Sequence, residues 1–217
     1  MGQTSEAVHI ARESVQLAEA GGDAMLIAEA MHRLAITLIA VRPAEAVELL
    51  LRLVAHARDV DERAMEARAH LSLGVARMRG RDDREGAEAF RRALAIARDA
   101  HALDVAASAS MNLGVLELRR GDFGAAHDAC RDALRLYTTL RNNTNRLAAL
   151  YNLANVERER GDAEAALALD PETAALAGQL GVADIAIGAH AGAGRSALRL
   201  DDLAGARASL ELAERAL

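Results

Sequence analysis

The sequence predicts an all-α fold, an α-solenoid of about five antiparallel helix pairs. Three observations lead to this prediction: a repeat of about forty residues, helical spacing of the apolar residues within each repeat, and a composition of small helix-forming side chains. Alanine fills 52 of the 217 positions, whereas aromatic residues make up only 2%. Because small side chains bury little area each, such a core requires many short contacts between closely packed helices.

A small residue recurs in the first helix of each repeat, helix A, at intervals of 39, 40, 40 and 40 residues: Ala35, Gly74, Gly114, Ala154 and Gly194. Seven residues later stands a residue that we place at the helix end: Arg42, Arg81, Gly121, Gly161 and Asp201. The apolar stripe of the second helix, helix B, is predicted to contain Val47, Leu51 and Val54 in the first repeat and Ala126, Cys130 and Ala133 in the third. Glycine within a helix costs about 0.5–1 kcal/mol relative to alanine. Its regular use therefore predicts that helices touch at these five positions.

The repeat pattern also predicts the extent of each element. We expect a single domain over 1–217, with a leading helix at 4–20 and repeats near 23–58, 61–101, 103–140, 143–179 and 182–217. Aspartates that can accept hydrogen bonds from the first turn are expected to cap the B helices: Asp82 or Asp83, Asp122 and Asp162. The chain opens with an unpaired helix and carries Leu210, Leu212 and Leu217 near its end, which predicts a piece of a larger protein; association of the ends with another chain is the alternative.

Pro171 breaks the pattern within the fourth B helix. A proline inside a helix removes one hydrogen bond, whereas Asp170, Pro171 and Glu172 together are typical of a helix start. We therefore predict a kink or interruption at 169–171. It either redirects the array or is a tolerated irregularity.

Composition argues against several classes of function. All 26 basic residues are arginine, so the lysines of nucleotide-binding loops and Schiff bases are missing. A net charge of −6 argues against direct nucleic-acid binding, and no long apolar run or signal segment predicts a membrane or secreted location. We expect a cytoplasmic protein with no cofactor and no metal. Cys130 shares a column with Phe90 and Leu210, which predicts a core residue and not a nucleophile.

The motifs resemble those of the tetratricopeptide repeat (TPR) family, in its longer form of about forty residues found in bacterial regulatory and signalling proteins. The resemblance covers nearly the whole chain and depends on Leu73-Gly74 and Leu113-Gly114 in helix A, on Gly121-Asp122-Phe123 in the turn, and on the Gly86, Phe90, Ala93 series in helix B. The early Trp, the helix A Tyr and the closing Pro of that family are absent. The resemblance implies a right-handed superhelix whose concave groove is lined by the A helices.

Carried over to this chain, the family geometry implies a partner-binding groove formed by Met78, Met111, Asn112, Tyr151, Asn152, Asn155, Arg158 and Arg195. The earlier repeats would supply an apolar groove and the later ones a polar end. We expect an extended or helical partner segment there, with an acidic or amide-rich end near Asn155 and Arg158. The alternative is that Arg158 and Arg195 are solvated and that Asn155 makes only local hydrogen bonds.

The sequence thus predicts a protein–protein interaction scaffold, a sensory or regulatory module of a larger bacterial protein that binds a protein or peptide partner. A structural spacer, or a module that self-associates through its terminal helices without a groove ligand, is the alternative. No enzyme is expected, because no converging set of titratable residues is visible.

Overall fold

The described part of the protein consists of helices joined by short turns. The structure is a computed structural model that describes residues 2–216, and side chains from residue 6 onwards. Within that range it contains eleven helices and no strand, joined by turns of two or three residues. Their bounds are α1 Gly2–Gly21, α2 Ala24–Ile39, α3 Pro43–Asp59, α4 Arg63–Arg79, α5 Asp83–Asp99, α6 Leu103–Arg120, α7 Phe123–Thr139, α8 Asn143–Arg160, α9 Ala163–Leu180, α10 Ala183–Arg199 and α11 Leu203–Arg215. These helices form a leading helix followed by five helix pairs, which confirms the predicted all-α fold class. Leu217 lies outside the described residues.

Capping residues explain where these helices begin. The carboxylates of Asp82, Asp122 and Asp162 each accept a hydrogen bond from a backbone N–H three residues on, at distances of 2.9–3.3 Å. This arrangement confirms the predicted N-caps, since it satisfies a backbone donor that has no partner within the helix. Asn142 and Asp202 act in the same way at the starts of α8 and α11. The predicted helix ends at Gly121 and Gly161 adopt positive φ angles of 78° and 88°, which glycine tolerates best.

The first helix pair corrects the predicted register of the B helix. Val47, Leu51 and Val54 were expected in its core stripe. Val54 is buried and Val47 is partly buried, but Leu51 is 49% exposed, and the fully buried residues are Ala46, Leu50 and Leu53. The distance along the chain from the small residue of helix A to the start of helix B is one residue shorter in this first repeat than in the four that follow. Arg42 stands seven residues after Ala35 and is itself the N-cap with φ −143°, whereas the cap Asp82 stands eight residues after Gly74. The loss of one residue shifts the buried stripe back by one position.

Of the two possibilities predicted at 169–171, the interruption is wrong, and the kink stays a prediction. Helix α9 runs without a break from Ala163 to Leu180 and contains Pro171. Pro171 lies on the exposed face, so the backbone carbonyl of Leu167, which loses its usual donor there, can be hydrated. Thr173 hydrogen-bonds through its hydroxyl to the carbonyl of Leu169 at 2.9 Å and supplies a local contact beside the proline. The proline is thus tolerated within the helix.

The small residues of the A helices are buried, as the repeat predicts. At Gly74 an added Cβ atom would lie 2.4 Å from the ring of Phe90, and at Gly114 it would lie 2.5 Å from the sulfur of Cys130. Both glycines therefore allow the following B helix to approach more closely than alanine would. Gly194 differs, because its nearest neighbour, the backbone oxygen of Ala206, would be at an ordinary 3.5 Å.

The chain forms two compact units, Met1–Asn112 and Leu113–Leu217. In the first unit, apolar residues of α2, α3 and α4 form one continuous core that includes Leu34, Leu38, Leu50 and Leu53. In the second, smaller clusters join α7 with α8 and α8 with α9 and α10. The single-domain limits and the larger parent protein stay predictions. Among the described residues, none of the helices combines the length and hydrophobicity that a bilayer crossing requires.

Candidate functional site

A polar cleft lies between two A helices of the second unit. Helix α8 contributes Asn155, Arg158 and Glu159 to its lining, and α10 contributes Arg195 and Arg199. The cleft has a volume of about 200 Å³. These side chains converge because residues three or four apart project from the same face of a helix. Two exposed guanidinium groups from α10 thus face an asparagine and an arginine from α8.

Arg158 is held in place by two side-chain contacts. One guanidinium nitrogen donates to a carboxylate oxygen of Asp170 at 2.7 Å, and the other donates to the amide oxygen of Asn155 at 2.8 Å. The Arg158 side chain is only 7% exposed, and that of Asp170 is almost completely buried. The sequence alternative that Arg158 is a solvated side chain is therefore wrong, while Asn155 does make the local hydrogen bond that this alternative described.

Asp170 lies in an environment that opposes its ionisation. Burial raises the pKa of its carboxyl, and the hydrogen bond and positive charge of Arg158 offset only part of that effect. Arg195 and His190 act in the same direction as Arg158, more weakly. The second carboxyl oxygen of Asp170 is buried with no hydrogen-bond partner among the described residues. An arrangement with an unsatisfied buried oxygen is a poor way to stabilise a fold.

Two glycines of α10 leave room for the large side chains of α8. A Cβ atom at Gly192 would lie 2.8 Å from the guanidinium group of Arg158, and one at Gly188 would lie 3.0 Å from the hydroxyl oxygen of Tyr151. Side chains at these positions would compete with Arg158 and Tyr151 for space. The sequence of α10 therefore fits the placement of the α8 side chains.

The first unit has an apolar cleft in the corresponding place. Helices α2 and α4 line it with Ile36, Ile39, Leu71 and Val75, and Arg79 and Asn112 stand at its border; its volume is about 320 Å³. Met78 and Met111 are half-buried and are not part of this lining. The predicted change from apolar to polar A helices is thus visible in two separate clefts.

Several solved structures resemble this arrangement of helices. BtubC (BKLC) from P. vanneervenii is 19% identical, with a TM-score of 0.85 over 98% of this chain and 90% of that one. A signal transduction ATPase from Pyrococcus horikoshii, described as having a tetratricopeptide repeat sensor, is 14% identical with a TM-score of 0.79; the match covers 94% of this chain and 32% of that protein. The chain has the tetratricopeptide-repeat fold.

A third solved TPR-like structure is a Rap protein complexed with Competence and Sporulation Factor. It is 18% identical, with a TM-score of 0.60 over 97% of this chain and 61% of that one. No protein-family model and no curated protein sequence matches the chain. The comparisons therefore establish the TPR fold and leave the ligand to be inferred from this chain's own residues.

Within the TPR fold, the structure brings together only part of the predicted groove. Asn155, Arg158 and Arg195 share the cleft of the second unit, Tyr151 packs one turn away against Gly188, and Asn152 is half-buried on the same helix. Asn112 borders the cleft of the first unit. Sequence reasoning missed Arg199, Glu159 and Asp170. Asp170 could have been recognised from the sequence, because it is the one charged residue at a repeat position that is otherwise apolar, as in Phe90, Cys130 and Leu210.

Other reactive side chains of this TPR chain are accounted for by packing. Cys130 is fully buried, and burial, reinforced by the charge of Glu157, raises the pKa of its thiol to about 12. Its predicted role as a core residue is confirmed. His127 contacts the buried carboxylate of Glu157, which Arg160 also pairs with at 2.9 Å. Within the described residues no group of three or more His, Cys, Asp or Glu side chains could hold a metal ion.

Proposed function

We propose that this protein is an interaction scaffold that binds a segment of a protein partner through the cleft between α8 and α10, and that an acidic group of the partner lies beside Arg195 and Arg199. The observation that carries this proposal is the charge of the cleft. Asp170 balances the charge of Arg158, so Arg195 and Arg199 together outweigh the single carboxylate of Glu159.

The exposure of the Arg195 side chain supports an acidic ligand. Its side chain is exposed and has no ion-pair or hydrogen-bond partner among the described residues. Arg199 donates to the backbone carbonyl of Arg158, which places its guanidinium at the wall of the cleft. Guanidinium groups bind carboxylates through paired hydrogen bonds, and two neighbouring groups can hold one anion. This positive cleft stands out on a chain of net charge −6.

The first unit offers a second type of contact. Its cleft between α2 and α4 is apolar, and we include Met78, Met111 and Asn112 in the proposal as residues that a partner's apolar side chains contact at or beside it. Hot spots of protein interfaces are commonly apolar side chains in such pockets. Acidic residues of a partner therefore fit the cleft of the second unit, and apolar residues of a partner fit the cleft of the first.

The regulatory part of the proposal is supported by the neighbours in fold. One is described as a tetratricopeptide repeat sensor of a signal transduction ATPase, and another as complexed with Competence and Sporulation Factor. We propose a corresponding sensory or regulatory role in a bacterial cytoplasm, in keeping with the alanine-rich, lysine-free composition. Binding and not catalysis is the activity that we propose for the chain.

The test uses fluorescein-labelled pools of short random-sequence peptides, matched in length and either acidic or basic. We expect fluorescence anisotropy to detect binding of the acidic pool, with the Arg195→Glu/Arg199→Glu variant weakened by more than about tenfold. Arg131→Glu/Arg135→Glu is the matched control, since these exposed arginines have the same spacing on α7 and lie outside the cleft. Equal binding by both variants would exclude this cleft as the site.

A structural or self-associating role is the second candidate, and exposed leucines of α11 favour it. Leu203 is 73% exposed, and Leu210 and Leu212 are about half exposed. Sedimentation at increasing concentration distinguishes the two functions. Self-association that Leu203→Glu/Leu210→Glu abolishes, without any peptide binding, would favour the second candidate.

A further inference from the structure

We propose that Arg158 and Asp170 are a positioning pair, which holds the side-chain amide of Asn155 so that it can only donate a hydrogen bond into the cleft. The partner must then present a hydrogen-bond acceptor there, the backbone carbonyl of a peptide. This inference deepens the proposed function and depends on it for the identity of the ligand. It assigns to Asn155 the role of a specificity-determining residue.

The orientation of Asn155 follows from the chemistry of its partner. An arginine side chain carries five N–H donors and no acceptor, so only the amide oxygen of Asn155 can face it. The 2.8 Å contact between Arg158 and that oxygen fixes which end of the amide points away. The NH₂ group of Asn155, on the side not used by Arg158, is left to donate. Rotation of the amide by half a turn would set N–H groups against N–H groups.

Asp170 prevents Arg158 from moving out of this position. Its carboxylate accepts from the guanidinium at 2.7 Å from the neighbouring helix α9, and Gly192 of α10 leaves space only for the flat face of the group. The arginine is therefore confined by α9 and by α10, and it transmits that constraint to Asn155. A side chain held in one rotamer loses less entropy when it binds a ligand.

Comparison with the other repeats shows that the fold itself does not need this pair. The positions of Arg158 and Asp170 are occupied in the two preceding repeats by Met78 with Phe90 and by Leu118 with Cys130. Replacing a buried ion pair with apolar residues is commonly neutral or stabilising. Within the described part of the chain, Asp170 even retains a buried carboxyl oxygen with no hydrogen-bond partner. The pair of Arg158 and Asp170 is found in the fourth repeat alone. It lies beside Asn155, whose position is occupied by valine in the two preceding repeats. We take this combination as an indication of ligand binding.

The key variant transplants the apolar pair of the third repeat into the fourth, as Arg158→Leu/Asp170→Cys. It removes the constraint and leaves Asn155 in place. In ¹⁵N relaxation measurements without ligand, we expect the Asn155 side-chain amide, assigned by its absence in Asn155→Ala, to be ordered in the wild type and mobile in the variant. An amide equally mobile in both proteins would overturn the inference whatever the ligand is.

Binding of the labelled acidic peptides provides the second measurement. Asn155→Ala should weaken binding by about fivefold to tenfold, the effect of one hydrogen bond. Asn155→Asp should weaken it further, because a carboxylate repels the acceptor. The Arg158→Leu/Asp170→Cys variant should weaken binding by a factor similar to that of Asn155→Ala. Combining both changes should weaken binding little further, because they remove the same interaction. Asn155→Ala and Asn155→Asp leave the ion pair intact, so they test the inference even where the apolar pair perturbs folding.

The outcomes separate this inference from the function on which it rests. Loss of binding in Arg195→Glu/Arg199→Glu, with unchanged binding in Asn155→Asp, would overturn the role of Asn155 and keep the cleft as the site. Unchanged binding in every cleft variant would overturn both proposals. Weakened binding in Asn155→Asp together with an ordered amide in the wild type is the expected result.

Discussion

At the scale of the residue, the burial of His32 makes the stability of the fold depend on pH. It is half-buried on α2, where its ring nitrogen contacts the hydroxyl oxygen of Ser72 at 2.9 Å. Burial lowers its pKa from 6.5 to about 4, and the positive charge of Arg68 acts in the same direction. The unfolded chain therefore takes up a proton between pH 6.5 and about 4 that the folded chain does not. Burial also lowers the pKa of His70, with the same consequence.

We predict that the free energy of unfolding falls as the pH is lowered through this range, because the folded pKa of His32 lies below the unfolded value. His32→Gln should reduce the fall by about 1–3 kcal/mol, since glutamine keeps a polar contact to Ser72 but does not titrate. Urea unfolding at neutral and at mildly acidic pH measures the difference. His9→Gln, at an exposed position, is the control. Parallel pH profiles for wild type and His32→Gln would contradict the prediction.

At the scale of the element, Gly74 and Gly194 hold the same place in their helices but have different surroundings. A methyl group at Gly74 would lie 2.4 Å from the ring of Phe90, which is fully buried and has nowhere to move, whereas at Gly194 the nearest atom would be 3.5 Å away. Gly74→Ala should therefore destabilise the protein by about 1–3 kcal/mol through overpacking. Gly194→Ala should stabilise it by up to about 1 kcal/mol through helix propensity.

Urea unfolding of the two variants checks this pair of predictions, with each serving as the control for the other. The methyl group of Gly114→Ala would collide with the sulfur of Cys130, so this variant should lower the free energy of unfolding as Gly74→Ala does. Adding Cys130→Ala should restore part of that loss. Equal stability of Gly74→Ala and Gly194→Ala would mean that the helix spacing adjusts to the added methyl group, contrary to our interpretation of the glycines.

The elements also show what could be predicted from the sequence. Helix positions were predictable because helical periodicity, aspartate caps and glycine ends recur at one spacing and act locally. The register of α3 was not predictable, because one residue fewer separates Ala35 from the start of α3 than in the later repeats, and no motif marks this difference. Pro171 was misjudged because local propensity favours a helix start there, whereas packing of Thr173 and Ala174 keeps α9 continuous.

The candidate site was predictable only in part, for the same reason. Asn155, Arg158 and Arg195 follow from the repeat columns, since equivalent positions share a helix face. The contact between Arg158 and Asp170 joins different helices and depends on the space that Gly192 leaves. Such a contact is set by tertiary packing, which periodicity alone does not describe. A charged residue in an apolar column was the one available indication.

At the scale of the whole molecule, contacts are local along the chain. Packing joins consecutive helices from α1 to α5 in the first unit and from α7 to α11 in the second, and it also joins α2 with α4 and α8 with α10. Stability in such an array is approximately a sum of the stabilities of the repeats and of the interfaces between neighbours. A destabilising substitution should therefore lower the local stability of its own repeat more than that of distant repeats.

We predict that Gly74→Ala accelerates amide hydrogen exchange in α4 and α5 by about tenfold to a hundredfold, which corresponds to the expected loss of about 1–3 kcal/mol, and changes α8 and α9 far less. The reason is that the overpacked contact to Phe90 belongs to the pair α4 and α5. Exchange measured by mass spectrometry on peptide fragments resolves these helices, with Gly194→Ala as the matched substitution in α10. Uniform acceleration from α2 to α10 would instead mean that the array opens as one cooperative unit, and the additive description of its stability would have to be given up.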